Sequence, residues 1–270
     1  MTDELKVSEI PVKIFLGQDA KLPTNAHGDD FCDDVYAAEG RLVPPATFKS
    51  VLVPTNITTD FDAKYGMKLN TRSGMGYKTP LILSNATGII EATYRGTIGV
   101  LLRNTFQDTS LVDFAFTSDG KRIPVSDIPK DVLEQARKFY EEEAVFLGYN
   151  KPSTFDDYML ELNAWKKRKD TGEFGEGNLA RIENLLKNNE ILNMKDAATW
   201  VDKVPPKPTA QHTLFVDYVP RGTVYIPKGE KVAQIHFQKI VRPVYEVVED
   251  KEELSETKRG EGKYGSTGVK

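Results

Sequence analysis

Ten residues near the end of the chain, Arg259-Gly-Glu-Gly-Lys-Tyr-Gly-Ser-Thr-Gly268, combine donors for a phosphate with a backbone free to wrap around it. Four glycines let successive N–H groups turn towards an anion. Arg259 adds a fork of donors, and Ser266 and Thr267 add hydroxyls. Tyr264 offers a flat face for a base. Such a stretch can close as a flap over a phosphate at one end and an aromatic ring at the other; the same composition also suits a flexible, unstructured tail.

Three upstream segments have matching chemistry. Thr71-Arg72-Ser73-Gly74 places a guanidinium, a hydroxyl and a glycine at the end of an expected strand, where they can hold phosphate oxygens; an ordinary turn with a surface arginine reads the same way. Asn85 through Gly96 brings an amide, a carboxylate (Glu91) beside Ile89 and Ile90, and Tyr94 within twelve residues. Its turn residues suit a β-hairpin around a pocket, with Glu91 as a general base for water, or equally a hairpin with exposed charges. Gly229 through Gln234 is a turn leading into a strand, with Val232, Gln234 and His236 on one face. Gln234 can donate there to phosphate or to a neighbouring strand. A fourth segment holds Asp29, Asp30, Asp33 and Asp34, which suit a hard cation such as magnesium or solvated turns.

The whole chain bounds these readings. Its 270 residues, 39% of them apolar, suit one or two globular domains with a real core. A net charge of −4 argues against a general nucleic-acid binder. No run approaches the roughly 18 apolar residues of a membrane span, and Met1-Thr2-Asp3-Glu4 has none of the features of a signal peptide. A single Cys32 excludes an internal disulfide and points to the cytoplasm. With only His27, His212 and His236 beside it, a His/Cys zinc cage is not expected.

Those segments must be positioned by elements that the periodicity reveals. Runs at 12–16, 48–53, 67–71, 81–83 and 97–102 read as strands, with no helical period before residue 116. Their spacing predicts a mainly β fold, a sandwich or jelly roll. A helix follows, capped by Ser126 or Asp127, with Pro129 in its first turn, a stripe of Val132, Leu133, Ala136, Phe139 and Tyr140, and a stop at Gly148. A second helix is expected behind a capping box at 153–156, with Phe155, Tyr158, Met159, Leu162 and Trp165 as its stripe. Lys166 to Lys169 suits the negative end of that helix better than a nucleic acid. Further helices are expected from Leu179 and from Ala197. Strands return at 213–216, 223–226, 231–237 and 244–248. The expected division is a discontinuous β core (1–117 and 207–258), an inserted α-helical subdomain (118–206) and a flexible C-terminal flap (259–270).

In this order the segments resemble the five motifs of the trimeric dUTP pyrophosphatase (dUTPase) family, including its phage members. The matches are Asp34-Val-Tyr-Ala-Ala38, Thr71–Gly74, Asn85–Gly96, Gly229–Gln234 and Arg259–Gly268. The resemblance covers residues 10–106 and 212–270. It implies a jelly-roll subunit, a homotrimer with shared active sites, and magnesium-dependent hydrolysis of dUTP to dUMP and pyrophosphate. By position, Glu91 would activate the water and Asp34 would hold Mg2+ through water. Arg72, Ser73, Gly74, Gln234, Arg259, Ser266 and Thr267 would bind phosphates. Asn85 and Gly88 would read the uracil, Tyr94 would pack on the deoxyribose and leave no room for a 2′-hydroxyl, and Tyr264 would stack on the base.

Some positions depart from the family pattern. The water-activating residue is usually Asp, and Glu91 is longer by one methylene. Phe31-Cys32-Asp33 replaces Ala-Gly-Tyr, Lys263 replaces Gly and Tyr264 replaces Phe. Two rivals follow. A dCTP deaminase shares the fold, but its catalytic Glu would fall at Leu101, which cannot move protons. A regulatory protein would use the insertion to bind a protein partner, with catalysis weak or lost. Cytoplasmic residence, in a host cell for a phage-encoded chain, is expected in each case.

Overall fold

The computed structural model describes residues 9–108, 110–145, 155–171 and 207–257. Strands β1 (Val12–Leu16), β2 (Asp33–Tyr36), β3 (Arg41–Val43), β4 (Val51–Phe61) and β5 (Tyr65–Asn70) precede a short helix, α1 (Ser73–Lys78). β6 (Leu81–Leu83), β7 (Gly88–Ile90), β8 (Ile98–Asn104), β9 (Leu111–Val112), β10 (Phe114–Thr117) and β11 (Arg122–Pro124) come next. Helices α2 (Lys130–Glu143) and α3 (Phe155–Thr171) follow, then β12 (Val219–Pro220), β13 (Val224–Ile226) and β14 (Lys231–Lys239).

Two four-stranded sheets, ordered β1-β4-β8-β6 and β2-β14-β5-β7, share one hydrophobic core. The alternation along β4 shows why: Val51, Val53, Thr55, Ile57, Thr59 and Phe61 are buried, while the residues between them are not. Pro54 is tolerated within this strand because the pairing with β8 shifts register between Pro54 and Ile57. Buried Asn104 ends β8 with its amide donating to Val43 O at 2.9 Å and Gly222 O at 2.8 Å. The mainly β jelly roll expected from strand spacing is therefore the fold observed.

A third sheet, β11-β10-β13-β3, carries a second cluster. Helix α2 buries Val132, Leu133, Ala136 and Tyr140 against Leu42, Val112, Phe215 and Tyr225. Gly40 allows this approach, since a Cβ there would lie 2.9 Å from Val132 Cγ2. The C-terminal end of α2 is stitched to the loop before β4: Phe48 N–H donates to Glu143 O at 2.7 Å and Val145 N–H to Ala46 O at 2.8 Å. The expected start of the insertion, residue 118, falls in the turn joining β10 to β11.

Several elements differ from expectation. Helix α1 lies between two expected strands in a region where no helix is expected, because its six residues are too few to show a period. The strand expected at 48–53 begins only at Val51. Ser126 and Asp127 lie in a 3-10 turn, and α2 starts at Lys130 without a side-chain cap. Thr213–Val216 forms turns around Phe215, buried at φ +58°, rather than a strand. On α3, Trp165 is buried and Tyr158, Met159 and Leu162 are half-buried, as the stripe predicts, whereas Phe155, expected in the same stripe, is exposed at the start of the helix. Gly148, Ser153, Thr154 and the helices expected from Leu179 and Ala197 lie outside the described residues. No described helix is long and apolar enough to cross a membrane.

A second unit starts at Lys239. Val244–Val248 makes no strand, and Val244, Tyr245 and Val247 are exposed. A strand needs an edge to pair with, and the described part of this unit supplies none. A 3-10 turn at Lys251–Glu253 is closed by a reciprocal capping box with Asp250.

Leu133→Ala is expected to cost about 2–4 kcal/mol. Because α2 shares its cluster with β3, β10 and β13, urea should still unfold this variant in one transition at a lower midpoint. An early, separate loss of helix by circular dichroism would show α2 to be an independent unit.

Candidate active site

Residues 85–96 do not fold back on themselves as a hairpin. Three residues of the segment form β7, which pairs with β5 instead (Leu69 opposite Gly88), and a turn lies on either side. The first turn runs through Ala86 at φ +56°, a left-handed backbone that costs a residue with a Cβ about 1 kcal/mol. A contact between the hydroxyls of Ser84 and Ser50 ties this turn to the start of β4. Gly88 lets β7 run close beside β5, as a Cβ would lie 3.3 Å from Leu69 Cβ and 3.4 Å from Asn85 Nδ2. The second turn is closed by Tyr94 N–H donating to Glu91 O at 2.9 Å.

Between these turns opens a cleft of about 250 Å3. Asn85, Gly88, Glu91, Tyr94, Gly99 and Leu101 are among its lining residues. Glu91 is exposed. The phenol of Tyr94 donates to Thr97 O at 3.2 Å, and its ring lies over Gly96. A Cβ at Gly96 would come within 2.3 Å of the phenol oxygen, so only glycine leaves the ring where it is.

A second group of site residues gathers around Asp34, which is only 6% exposed. Arg72 Nε donates to Asp34 Oδ1 at 2.9 Å, Gln234 Nε2 to the same oxygen at 3.3 Å, and Lys231 Nζ to Oδ2 at 2.8 Å. Burial alone would raise the Asp34 pKa, but hydrogen bonds from Lys231 and Arg72 and their positive charges outweigh it and hold the carboxyl below its ordinary value. Ser73 and Gly74 are exposed at the start of α1, and a Cβ on Gly74 would meet no atom of the chain within 4 Å. Nothing within the described chain requires glycine there, whereas close approach by a ligand would.

Lys231 has no place among the residues singled out from the sequence, and a β-bulge explains why. Lys231 and Gln234 stand three apart, which on a regular strand sends them to opposite faces. The pairing of β14 with β2 slips between Lys231 and Ala233, so both side chains reach Asp34. A polar chain continues across the same sheet. His236 Nδ1 lies 3.1 Å from Asn70 Nδ2 and 3.9 Å from Cys32 Sγ, and Thr87 Oγ1 donates to Asn70 Oδ1 at 3.4 Å. Burial, then Lys68, lowers the His236 pKa; burial, then Asp33, Asp30 and Asp34, raises that of Cys32. These causes work against thiolate formation at Cys32.

The residues fit magnesium only in one way. No cluster of three or more His, Cys, Asp or Glu forms a cage among the described residues. Asp34 has about four acceptor positions, of which three are filled, so it suits contact through a metal-bound water better than direct ligation. Arg259, Tyr264, Ser266 and Thr267 lie outside the described residues. The cleft and the Asp34 group share no lining residue, although β5 contributes Leu69 to the first and leads into Arg72 of the second.

A family model for dUTPase matches residues 18–113. The deoxyuridine 5′-triphosphate nucleotidohydrolase of Clostridium tetani is 34% identical over 99 residues, covering 36% of this chain and 67% of that protein. Among solved structures, a variant of the Staphylococcus bacteriophage 80alpha dUTPase with dUpNHpp aligns with a TM-score of 0.56 at 20% identity, over 96% of this chain and 99% of that one. A variant of the dUTPase from phage phi11 of S. aureus, whose structure reveals the coordination of a structural Mg(II) ion, aligns with a TM-score of 0.51 at 17% identity, over 90% and 99%. At these identities the structures bear on the fold alone.

Because the folded pKa of Asp34 lies below the ordinary 3.8, its ion pairs stabilise fully above that value. Their contribution is lost as pH falls through the folded value. Asp34→Asn should lower stability by about 2 kcal/mol at neutral pH, with the gap to wild type shrinking on acidification. Urea midpoints at neutral and acidic pH test this; a gap independent of pH would rule out the ion pairs as its source.

Proposed function

This chain belongs to the dUTPase family, and from that premise we propose that it hydrolyses dUTP to dUMP and pyrophosphate. The observation that carries the reading is the cleft: Glu91, Asn85, Gly88 and Tyr94, each expected to serve the nucleoside or the attacking water, line one cavity. In this reading the uracil edge meets the turn at Asn85 and Gly88. The ring of Tyr94 packs on the deoxyribose where a ribose 2′-hydroxyl would collide. Glu91 orients a water in line with the α-phosphorus and takes its proton as the P–O bond forms. The bond to the bridging oxygen breaks, and pyrophosphate leaves.

Arg72, Ser73, Gly74 and Gln234 bind the phosphates, with Asp34 holding Arg72 and Gln234 in place beforehand. Preorganised donors of this kind supply most of the catalysis in phosphoryl transfer. Magnesium, bound on the triphosphate and contacted by Asp34 through water, would neutralise charge there. Arg259, Ser266, Thr267 and Tyr264 would complete the closure. The deaminase alternative finds no support, since apolar Leu101 lines the cleft at the position where that chemistry needs an acid.

The active site is shared between copies in a trimer. Two features support this: the cleft and the Asp34 group are separate in the single chain, and Leu52, Ile82 and Leu101 are exposed on neighbouring strands β4, β6 and β8. Leu52 stands opposite Leu101, at the edge of the cleft. Such a patch suits burial between subunits.

Purified protein with dUTP and Mg2+ should release pyrophosphate, and Glu91→Gln should lower kcat by about a hundredfold or more. An inactive wild type would favour the partner-binding alternative. Leu101→Asp should give a monomer by light scattering and abolish turnover. A variant that stays trimeric and active would refute the shared site.

A further inference from the structure

Arg95 belongs to neither the lining of the cleft nor the Asp34 group, yet it holds the turn that carries both Glu91 and Tyr94. Its Nη1 donates to the carbonyl oxygens of Ala92 and Tyr94, the latter at 3.0 Å. Its Nη2 reaches Asp60 Oδ1. Asp60 belongs to β4, where it pairs with Lys13 of β1 between the buried Thr59 and Phe61. The guanidinium thus joins a loop to the frame of the barrel. Its planar fork suits this task, since one nitrogen can serve two carbonyls while the other meets a carboxylate.

We propose that Arg95, anchored by Asp60, is a positioning residue that fixes the Glu91–Tyr94 turn and so sets both the hydrolysis rate and the choice of deoxyribose over ribose. The inference rests on the reading of the cleft given under Proposed function. The pair is half-exposed, with side chains 52% and 46% accessible, so it adds little to global stability. Its effect is local. Displacing an acid by about 1 Å from an attacking water costs about a hundredfold in rate. A looser Tyr94 ring would also make room for the 2′-hydroxyl it otherwise excludes.

The test uses the full chain carrying Arg95→Met, Asp60→Asn or Arg95→Lys. Four quantities are read: kcat and KM for dUTP, the ratio of kcat/KM for dUTP over UTP, the melting temperature, and amide hydrogen exchange across residues 91–95. Arg95→Met should lower kcat by about tenfold to a hundredfold and reduce the dUTP preference by about as much. KM and melting temperature should move little, while exchange at Tyr94 speeds up. Asp60→Asn should act in the same direction more weakly. Arg95→Lys should recover part of the loss, because an ammonium still meets Asp60 but lacks the fork. Wild-type rate and sugar preference in Arg95→Met would overturn the proposal, as would unchanged exchange in the turn. A wild type that does not hydrolyse dUTP would instead defeat the functional reading, and the exchange measurement alone would then decide whether Arg95 holds the turn.

Discussion

One buried carboxylate organises the residues proposed to meet the phosphates. Asp34 is nearly inaccessible, and a carboxylate in that position survives only if its charge is met by partners. Arg72, Lys231 and Gln234 meet it, and they come from the segment after β5 and from β14, while Asp34 itself is on β2. The three donors fix the relative placement of these elements as firmly as a hydrophobic contact would. They also keep a guanidinium and an amide in fixed positions before any ligand arrives. In the proposed reading, a phosphate would meet donors whose ordering entropy is already spent.

The cleft follows a different principle. Its walls come from backbone turns rather than from an ion-pair network, and those turns hold conformations that need support. Ala86 is left-handed, Gly88 allows close passage beside β5, and Gly96 leaves space for the ring of Tyr94. Local strain of this kind persists only where the surroundings over-determine it. Here the Ser50–Ser84 contact and the Arg95–Asp60 link each tie one turn to β4, the longest strand of the core.

The sequence made legible most strands of the main core (though not β2), the α2 stripe, most of the α3 stripe and the grouping of Asn85, Gly88, Glu91 and Tyr94, because each depends on local periodicity or short spacing. It concealed whatever depends on pairing between distant segments. Lys231 joins Asp34 only through a bulge, and a period-2 reading puts it on the wrong face. Thr213–Val216 has the composition of a strand but turns through a left-handed Phe215. Residues 85–96 contain the turn signals of a hairpin, yet β7 finds its partner in β5. Val244–Val248 shows the reverse case: strand-forming residues without an edge among the described residues.

The longer acid at position 91 can be weighed against this framework. A methylene moves the carboxylate by about 1.5 Å, so a site built for Asp must place the Cα elsewhere to bring Glu91 to the same point. That Cα follows directly on β7, which ends at Ile90, and opens the turn closed by Tyr94 N–H on Glu91 O. The turn is fastened by groups outside it, Arg95 and Asp60. Adjustment to a longer side chain therefore need not disturb the Asp34 network, which contributes no side chain to the fastening. A turn held by a removable clamp on a rigid barrel is where such a substitution can be absorbed at least cost to the fold.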